Sequence, residues 1–384
     1  MKRRLVILTE IISPYRTPLF NALARQPEVD LHVIFLAETD PSLRQWQVYK
    51  QEIRFSYEVL RSWRKRIGRY NSLLNFGLGR ALNTAAPDAI VFGGYNYVAS
   101  WQALFWARAR GVPFFLWSES NLPDVRRGYA LVEMLKDEFL RQCSGFAVAG
   151  RSAREYLRAH KVREDLIFSA PDAVDNDLFA AGAADSRRNA LALRAELGLP
   201  GRYFLFVGRI VPEKGVFDLL AAYAKLDERR RQQIGLVYVG DGAFRRQLEE
   251  RAASISPGMI RCAGFVQRNP LATYYALAEM LILPTYSDPW GLVVNEAMAC
   301  GLPVLVSRVA GCAADLVMDN WNGFLISPGD VSAMSAAMGS IADNAQLCTS
   351  MGANSVQLIS RYSPAAWALG ISRAIESTGR TASD

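Results

Sequence analysis

Two cations share one glycine-containing loop between a predicted strand and a predicted helix. The strand ends at Gly208, the loop is Arg209-Ile-Val-Pro-Glu-Lys-Gly215, and the helix covers 216–226. A guanidinium can bind two phosphate oxygens as a fork, an ammonium supplies a point charge, and the free N–H groups at a helix start favour an anion. Arg209 and Lys214 therefore predict a phosphate site. The alternative is a basic turn with Lys214 in solvent, and the loop carries neither of the glycine motifs that mark nucleotide-binding loops.

Two carboxylates, Asp288 and Glu296, lie eight residues apart around the start of another predicted helix. Asp288 precedes the helix, Glu296 is on its second turn, and Gly291 and Leu292 open it. The free amides of the two opening residues can face a phosphate, while the carboxylates accept hydrogen bonds from sugar hydroxyls. This segment indicates a phosphorylated, polyhydroxylated ligand. The alternative is structural, with Asp288 capping the helix and Glu296 solvated or paired.

These candidates follow strands in a chain that alternates β-rich runs with amphipathic helical patterns, which is typical of parallel sheets covered by helices. A helix is predicted over 17–25, with Thr17 as its cap and Pro18 at its first position. Residues 176–201 are rich in Ala, Gly and Arg and indicate an interdomain connection that leads into a short helix. The predicted strands are 5–8, 31–36, 89–94, 112–117 and 145–149 before this connection, and 203–208, 234–239, 260–266, 281–283, 303–306 and 323–326 after it.

Two such series predict an α/β fold with two facing Rossmann-like domains. The chain of 384 residues is long enough for two cores. The first domain is predicted over 1–175 and the second over 176–361. Because open parallel sheets bind ligands beyond the carboxyl ends of their strands, the active site is expected in the interdomain cleft.

A resemblance to a known family is carried by the segment Pro284-Thr-Tyr-Ser-Asp-Pro-Trp-Gly-Leu-Val-Val-Asn-Glu-Ala-Met-Ala-Cys-Gly-Leu-Pro-Val304. It resembles the nucleotide-sugar-binding signature of the retaining GT-B glycosyltransferases of family 4, the glycosyl transferases group 1. The phosphate loop, Val239-Gly-Asp-Gly242, Gly264-Phe-Val266 and Asn322-Gly-Phe-Leu-Ile-Ser-Pro-Gly-Asp330 resemble the same family in the expected order. The opening Ser13-Pro-Tyr-Arg-Thr-Pro-Leu-Phe-Asn-Ala-Leu23 is similar to that of one large subgroup.

The resemblance implies a nucleotide-sugar donor on the second domain. Arg209 and Lys214 would neutralise the diphosphate as its bond to the sugar breaks, Asp288 would stand at the donor sugar, and Glu296 would hold the ribose. A helix at about 362–378 would cross back onto the first domain. The implied donor-binding residues are Gly208, Arg209, Lys214, Gly240, Phe265, Val266, Asp288, Gly291, Leu292 and Glu296, with the backbone at 265–266 facing the base.

The sequence departs from the family pattern on the acceptor side and at one acid. Asp288 stands where the family usually has Glu, and the segment Glu10-Ile-Ile-Ser-Pro-Tyr-Arg16 replaces a Gly-Gly loop. The usual acceptor-side histidine is missing, and both His32 and His160 are expected to be structural. The implied acceptor-side residues are Tyr15, Arg16, Glu119 and Asn121. Glu119 joins Arg209, Lys214 and Asp288 as a catalytic candidate, with a helix cap or a surface acid as the alternative.

The net charge of +7 lies entirely in the first half, because residues 1–175 hold 25 Lys and Arg against 18 Asp and Glu. The densest cluster surrounds Trp63. Basic residues attract anionic lipid headgroups while an indole sits at the membrane interface. This favours contact with an anionic membrane surface, while nucleic-acid contact or a solvated loop is the alternative by charge alone. The resemblance implies no nucleic-acid partner. The cationic residues of the cluster are Arg61, Arg64, Lys65, Arg66 and Arg69.

Several function classes are excluded by composition. Five scattered cysteines and two histidines argue against a zinc site or a disulfide framework. The longest uncharged run, 89–107, is broken by glycines and polar residues, so no transmembrane segment is expected. The N-terminus is too poor in apolar residues for a secretory leader, which indicates a cytoplasmic protein with peripheral contact at the inner face of the membrane.

Asp175-Asn-Asp177 matches the metal motif of another glycosyltransferase fold but enters the predicted connection, so neither a metal nor a cofactor is predicted.

The sequence therefore predicts a metal-independent retaining hexosyltransferase. It would move a hexose from a UDP- or GDP-sugar to a hydroxyl of a glycan or lipid-linked acceptor, in bacterial surface polysaccharide biosynthesis. The acceptor would attack the front face of the sugar as the nucleotide diphosphate departs. The alternatives are another GT-B reaction, sugar-nucleotide epimerisation or phosphorolysis, and a non-catalytic sugar-nucleotide-binding scaffold.

Overall fold

The computed structural model describes residues 2–40, 45–67, 70–120 and 130–379. The contacts divide the chain into two compact units, Met1–Ala173 with Pro364–Asp384 and Val174–Ser363. Each unit is built around its own parallel sheet.

The first unit contains seven parallel strands and a separate hairpin. Its strands are β1 (Arg3–Thr9), β2 (Val29–Phe35), β3 (Ser56–Val59), β4 (Arg61–Ile67), β5 (Tyr70–Phe76), β6 (Ala89–Gly93), β7 (Phe114–Ser118), β8 (Gly145–Val148) and β9 (Ile167–Ser169). Its helices are α1 (Thr17–Ala24), α2 (Leu78–Ala85), α3 (Val98–Arg110), α4 (Ala130–Gln142), α5 (Arg151–Ala159) and, from the end of the chain, α16 (Pro364–Glu376). The sheet order is β3-β2-β1-β6-β7-β8-β9.

Successive residues of β1 serve two cores. Leu5 and Ile7 pack with the cluster that contains Trp367 of α16, while Val6 and Leu8 pack with the cluster on the other face of the sheet. This follows from the alternation of side chains along a strand that is covered by helices on both faces. The ring of Trp367 lies 5.0 Å from that of Trp117 on β7, so the C-terminal helix is part of the first core.

The antiparallel hairpin of β4 and β5 was not predicted. The basic segment around Trp63 was predicted as a surface patch, with a solvated loop as one alternative and no strand assigned, but its backbone pairs residue by residue with β5, from Arg61 opposite Phe76 to Ile67 opposite Tyr70. Because alternate residues of a strand point to opposite faces, the cations of this segment cannot all share one surface.

The second unit contains six parallel strands in the order β12-β11-β10-β13-β14-β15. The strands are β10 (Tyr203–Val207), β11 (Gly235–Val239), β12 (Ile260–Gly264), β13 (Met280–Leu283), β14 (Val304–Ser307) and β15 (Gly323–Ile326). The helices are α6 (Asn176–Arg188), α7 (Ala190–Leu197), α8 (Val216–Ala224), α9 (Glu228–Gln233), α10 (Arg245–Ile255), α11 (Arg268–Ala276), α12 (Leu292–Ala299), α13 (Ala313–Leu316), α14 (Val331–Asp343) and α15 (Ala345–Ile359).

Two local predictions need correction. Residues 176–201 were predicted as a connection that leads into a short helix, but they contain two helices, α6 and α7, and the carboxylate of Asp175 caps α6 by accepting the Leu178 N–H at 3.0 Å. Thr17 does not cap α1. Arg16 holds the cap position, and the Thr17 hydroxyl lies 3.2 Å from the Ser13 carbonyl oxygen instead.

No helix within the described ranges is long and apolar enough to cross a bilayer.

Candidate functional site

The predicted phosphate cation and the predicted sugar carboxylate form an ion pair. The Lys214 ammonium donates to Asp288 Oδ2 at 2.6 Å and to the Ser287 carbonyl oxygen at 3.1 Å. The two paired side chains are only 15% and 17% exposed, so Lys214 is not a solvated surface lysine. Asp288 does not cap the following helix, because its Oδ1 accepts the Trp290 N–H at 3.3 Å within the loop. The two motifs, 74 residues apart in sequence, therefore build one polar site.

The loop that carries Lys214 is locked to the loop that carries Asp288. A short 3-10 turn over Pro212–Lys214 ends at Gly215, which has φ +69°. A Cβ there would lie 2.2 Å from the Pro284 carbonyl oxygen, so a side chain cannot be accommodated without moving the backbone. The Tyr286 N–H also donates to the Glu213 carbonyl oxygen at 2.9 Å. These backbone contacts between the two loops fix the position of the Lys214 backbone and so restrict where its ammonium can lie.

Arg209 lies on the same loop and is exposed. Within the described residues, its guanidinium has no hydrogen-bond or ion-pair partner, which leaves its donors available to a ligand. Its backbone is nonetheless held, because the flanking Gly208 N–H donates to the Val239 carbonyl oxygen at 3.0 Å and the Ile210 N–H donates to the Asp241 carbonyl oxygen at 2.9 Å.

The Val-Gly-Asp-Gly turn supports the cation loop. Gly240 has φ +139°, and a Cβ on it would lie 1.8 Å from the Gly208 carbonyl oxygen. The Asp241 carboxylate accepts the N–H of Gly242 at 2.8 Å and does not cap the next helix, because α10 begins only at Arg245. Gly240 therefore allows the two backbones to approach closely, and Asp241 closes the turn.

The helix α12 begins where the sequence predicted an anion site. Gly291 caps it with φ +99°, and Leu292 is its first residue. The preceding loop is anchored by the Trp290 indole, whose Nε1 donates to Asn295 Oδ1 at 2.9 Å, and by the Gly311 N–H, which donates to the Asp288 carbonyl oxygen at 3.0 Å. The first amides of α12 are thus held close in sequence and space to Asp288.

Glu296 lies inside the second unit rather than in solvent. Its side chain is 1% exposed, and the Tyr275 hydroxyl donates to its Oε2 at 2.5 Å. Burial raises the pKa of Glu296 from its ordinary 4.5 to about 8, against the opposing effects of the Tyr275 hydrogen bond and the Arg268 charge. The structure favours the paired alternative for this residue, while its contact with a ribose stays a prediction.

Phe265 and Val266 follow β12 next to the turn at Gly240. The Gly240 N–H donates to the Gly264 carbonyl oxygen at 2.8 Å, and Gly264 itself has φ +80°. Phe265 is exposed and Val266 half-buried. The backbone predicted to face the base is therefore adjacent to the cation loop, and the base contact itself stays a prediction.

In the first unit, Arg16 and Glu119 are brought together at the carboxyl ends of the strands. Arg16 Nη2 donates to Glu119 Oε1 at 2.6 Å, and its guanidinium lies 4.0 Å from the centroid of the Trp117 ring. Burial alone would lower the pKa of Arg16, but the nearby charges of Glu119 and Asp172 raise it. Glu119 is therefore not an isolated surface acid.

Asp172 is a member of this cluster that the sequence analysis missed. Its side chain is buried, and burial together with the charge of Glu119 raises the pKa of Asp172 well above its usual range, although Arg16 opposes this. The available signal was a lone acid in the apolar run Ala170-Pro-Asp-Ala-Val174 just after β9. Two carboxyls and one guanidinium thus share one partly buried site.

The other two residues predicted on the acceptor side are Tyr15 and Asn121. Tyr15 is half-buried and packs edge-on against the Trp46 ring, with 5.9 Å between centroids. Asn121 lies outside the described residues. Nearby, the Tyr97 hydroxyl bonds Glu10, and burial followed by that acid raises the pKa of Tyr97. Neither Glu10 nor Tyr97 was singled out from the sequence as a site residue.

The predicted membrane patch needs a correction at Arg64. Its guanidinium forms ion pairs with the buried Asp40 and, at 3.3 Å, with Glu10, so it points into the first unit and is not available to lipid. Arg61 and Trp63 are exposed. The side chains of Lys65 and Arg66 and the whole of Arg69 lie outside what the structure describes.

Both histidines have local structural partners. His32 Nδ1 lies 2.7 Å from Ser56 Oγ, and His160 Nδ1 lies 2.8 Å from Asp137 Oδ1. In the decoy metal motif, Asp175 caps α6 and Asn176 donates to the Tyr362 carbonyl oxygen at 3.0 Å. That no metal is required stays a prediction.

The loops of Lys214, Asp288 and α12 fall within residues 192–357, which match the sequence model of the glycosyl transferases group 1. This stretch is a glycosyl transferases group 1 domain. The predicted resemblance to the glycosyl transferases group 1 is thereby confirmed for this part of the second unit, while membership of family 4 stays a prediction.

The alignments with curated relatives cover about half of this chain and about half of each relative. D-inositol 3-phosphate glycosyltransferase 2 of Catenulispora acidiphila is 32% identical over 223 residues, covering 55% of this chain and 51% of that protein. The D-inositol 3-phosphate glycosyltransferase of Nocardiopsis dassonvillei is 34% identical over 213 residues, covering 52% and 48%. The chain thus spans about half the length of the curated relatives it matches.

Solved structures match over nearly the whole chain. HepE of Anabaena in complex with UDP has a TM-score of 0.74 at 18% identity, covering 98% of this chain and 100% of that one. Sucrose-phosphate synthase of Thermosynechococcus elongatus has a TM-score of 0.75 at 20% identity, covering 99% and 100%. The predicted fold, α/β of the GT-B type with two Rossmann-like domains, is therefore confirmed.

Proposed function

We propose that this chain is a retaining glycosyltransferase that transfers a hexose from a UDP- or GDP-sugar to a hydroxyl of a glycan or lipid-linked acceptor. The observation that carries the proposal is the Lys214–Asp288 pair at 2.6 Å, beside the exposed Arg209 and the start of α12, inside a glycosyl transferases group 1 domain. A cation, a second cation and helix amides suit a diphosphate, and the carboxylate suits sugar hydroxyls.

The leaving group is where these residues would act. Negative charge develops on the diphosphate as the sugar departs, and fixed positive groups lower the energy of that state more than that of the bound substrate. Lys214 is already positioned by Asp288, so it needs little reorganisation, while Arg209 would close onto phosphate oxygens as a fork. Front-face attack by the acceptor requires no protein nucleophile.

The acceptor would be bound by the first unit. The Arg16–Glu119 pair offers both a carboxylate oxygen and guanidinium donors beside an indole ring, a combination suited to a hydroxylated ring. Asp172 is buried and interacts electrostatically with both members of this pair, so the cluster contains two acids. These contacts support an acceptor with several hydroxyl groups, while its identity is left to experiment.

The nucleotide is best tested first as uridine. HepE of Anabaena, which shares the fold, was crystallised with UDP and with UDP-glucose. A guanosine donor is the second choice. The proposed place of action is the inner face of a bacterial membrane, which is supported by the excess of cations in residues 1–175. The proposed pathway is surface polysaccharide biosynthesis, and the proposed reaction requires no metal.

Turnover of the wild-type chain with UDP-glucose, UDP-galactose and GDP-mannose, with and without glycan acceptors, tests the proposal. Release of the nucleotide and retention of the anomeric configuration in the product are expected.

Arg209→Ala and Lys214→Ala should each lower kcat by about 100-fold or more, as for removal of one charge-stabilising donor, whereas Lys225→Ala at the far end of α8 should not. Asp288→Glu should be tolerated or improved if this acid contacts the sugar.

Three results would contradict this assignment. Near-normal rates for both cation variants would remove the phosphate role. Conversion of the donor to an isomer without acceptor would indicate an epimerase instead. Donor binding without turnover by any acceptor would favour the scaffold alternative.

A further inference from the structure

The β4–β5 hairpin has one face that is anchored to the first unit. Arg64 forms its ion pairs there with Glu10 and Asp40. Across the hairpin, Leu73 is buried in the core, and the Asn75 amide donates to the Leu36 carbonyl oxygen at 2.5 Å. These contacts fix which way the hairpin faces.

The opposite face carries apolar side chains in contact with solvent. Trp63 is 52% exposed, Leu74 37% and Phe76 61%. Trp63 pairs directly with Leu74, and the exposed Arg61 pairs with Phe76. Cross-strand partners on one face of a hairpin have Cβ atoms about 5 Å apart, so these four residues form one continuous surface. We call it the Trp63 face.

We propose that the Trp63 face docks onto an anionic lipid bilayer, with the Trp63, Leu74 and Phe76 side chains entering the interface and Arg61 at the headgroup level. An indole combines an apolar body with a polar N–H and is favoured at that depth. This inference rests on the membrane part of the proposed function and is independent of the donor site.

Charge argues for lipid over an apolar protein surface. Residues 1–175, nearly all of which belong to the first unit, hold 25 basic and 18 acidic residues, and Arg61 lies within the apolar face itself. Each basic residue near an anionic surface adds about 1 kcal/mol of attraction. The face also differs from the patch predicted from sequence, because Arg64 is turned inward and Trp63, Leu74 and Phe76 supply the contact.

Co-sedimentation of the whole chain with vesicles of phosphatidylcholine and the anionic lipid phosphatidylglycerol tests the inference. Trp63→Ala/Phe76→Ala should bind at least about tenfold more weakly, and Arg61→Gln should weaken binding at low salt only. Leu191→Ala, which removes an 88% exposed apolar side chain in the second unit, is the control and should bind like wild type. Brominated lipids should quench the fluorescence of wild type more than that of Trp63→Phe.

The possible failures are distinguishable. Absence of vesicle binding by the wild type would overturn both the membrane proposal and this inference. Binding that is unchanged in Trp63→Ala/Phe76→Ala would overturn this inference alone. A wild-type dimer in solution that this double variant dissociates would make the face a contact between copies and would also overturn it. None of these results bears on sugar transfer, and unchanged melting temperatures would show that the variants fold.

Discussion

Glu296 is poorly solvated, and that makes the stability of the second unit depend on pH. Its carboxyl is buried against Tyr275, and burial raises its pKa from 4.5 to about 8. Between those values the unfolded chain has lost the proton that the folded chain keeps. Folding therefore takes up a proton, and stability falls as pH rises through this window, by at most about 1.4 kcal/mol per pH unit.

Glu296→Gln should remove this dependence. Chemical denaturation at pH 5, 6, 7 and 8 is expected to show the wild type losing stability relative to the variant as pH rises. Glu28→Gln, at an exposed position, serves as the control and should follow the wild type. Parallel curves for wild type and Glu296→Gln would contradict the buried, proton-holding carboxyl.

Arg64 should contribute to the stability of the fold rather than to lipid binding. Arg64→Gln removes a cation from Asp40, which is buried, and from Glu10, so the free energy of unfolding should fall by about 1–3 kcal/mol. Arg61→Gln is a matched control on the same strand, and as an exposed substitution it should change stability by less than about 0.5 kcal/mol. Equal effects of the two variants would argue against the inward orientation of Arg64.

The place of a single residue was predictable where both it and its partner lay in loops that directly follow predicted strands. Lys214 and Asp288 were each placed after a strand, and parallel strands bring such loops together at one edge. Asp172 and Arg64 were not, because their roles come from burial beside distant residues. A charge pattern reports how many cations a segment has and says nothing about which face of a strand each occupies.

At the scale of elements, the turn at Gly240 supports the loop of Arg209 and Lys214, where we propose that the donor binds. Gly240→Ala would place a Cβ 1.8 Å from the Gly208 carbonyl oxygen at a φ of +139°, so the cation loop must shift. The variant should bind UDP at least about tenfold more weakly, a loss of about 1.4 kcal/mol, as measured by calorimetric titration. Gly201→Ala is the control, because a Cβ there meets no atom within 4 Å. Unchanged affinity in Gly240→Ala would show that the turn does not position the loop.

The buried parallel strands were predictable, whereas α6 and the hairpin were not. A run such as Tyr203–Val207 is apolar throughout because helices cover both faces of its sheet, and this gives a clear signal. In α6 the glycine suggested a break, but a Cβ on Gly182 would lie 2.8 Å from that of Ala272, so the glycine allows close packing on α11. The surrounding alanines favour helix. In the hairpin, the high charge of Arg61–Ile67 hid a strand whose pairing depends on β5.

At the scale of the whole molecule, the two units divide the chemistry and the charge. The second unit holds the paired Lys214 and Asp288 within the glycosyl transferases group 1 domain, and the positive excess of the chain lies in residues 1–175. We therefore expect donor binding to depend on the second unit and to be insensitive to vesicles, while acceptor and membrane binding depend on the first.

The role of Arg209 and Lys214 in diphosphate binding can be measured without the sugar or the acceptor, by calorimetric titration of UDP and GDP into wild type, Arg209→Ala, Lys214→Ala and Lys225→Ala. We expect one of the two diphosphates to bind wild type and Lys225→Ala alike and to bind the other two variants at least about tenfold more weakly, which is about 1.4 kcal/mol for each lost charge. Failure of both nucleotides to bind the folded wild type, or equal binding by all four proteins, would contradict this role.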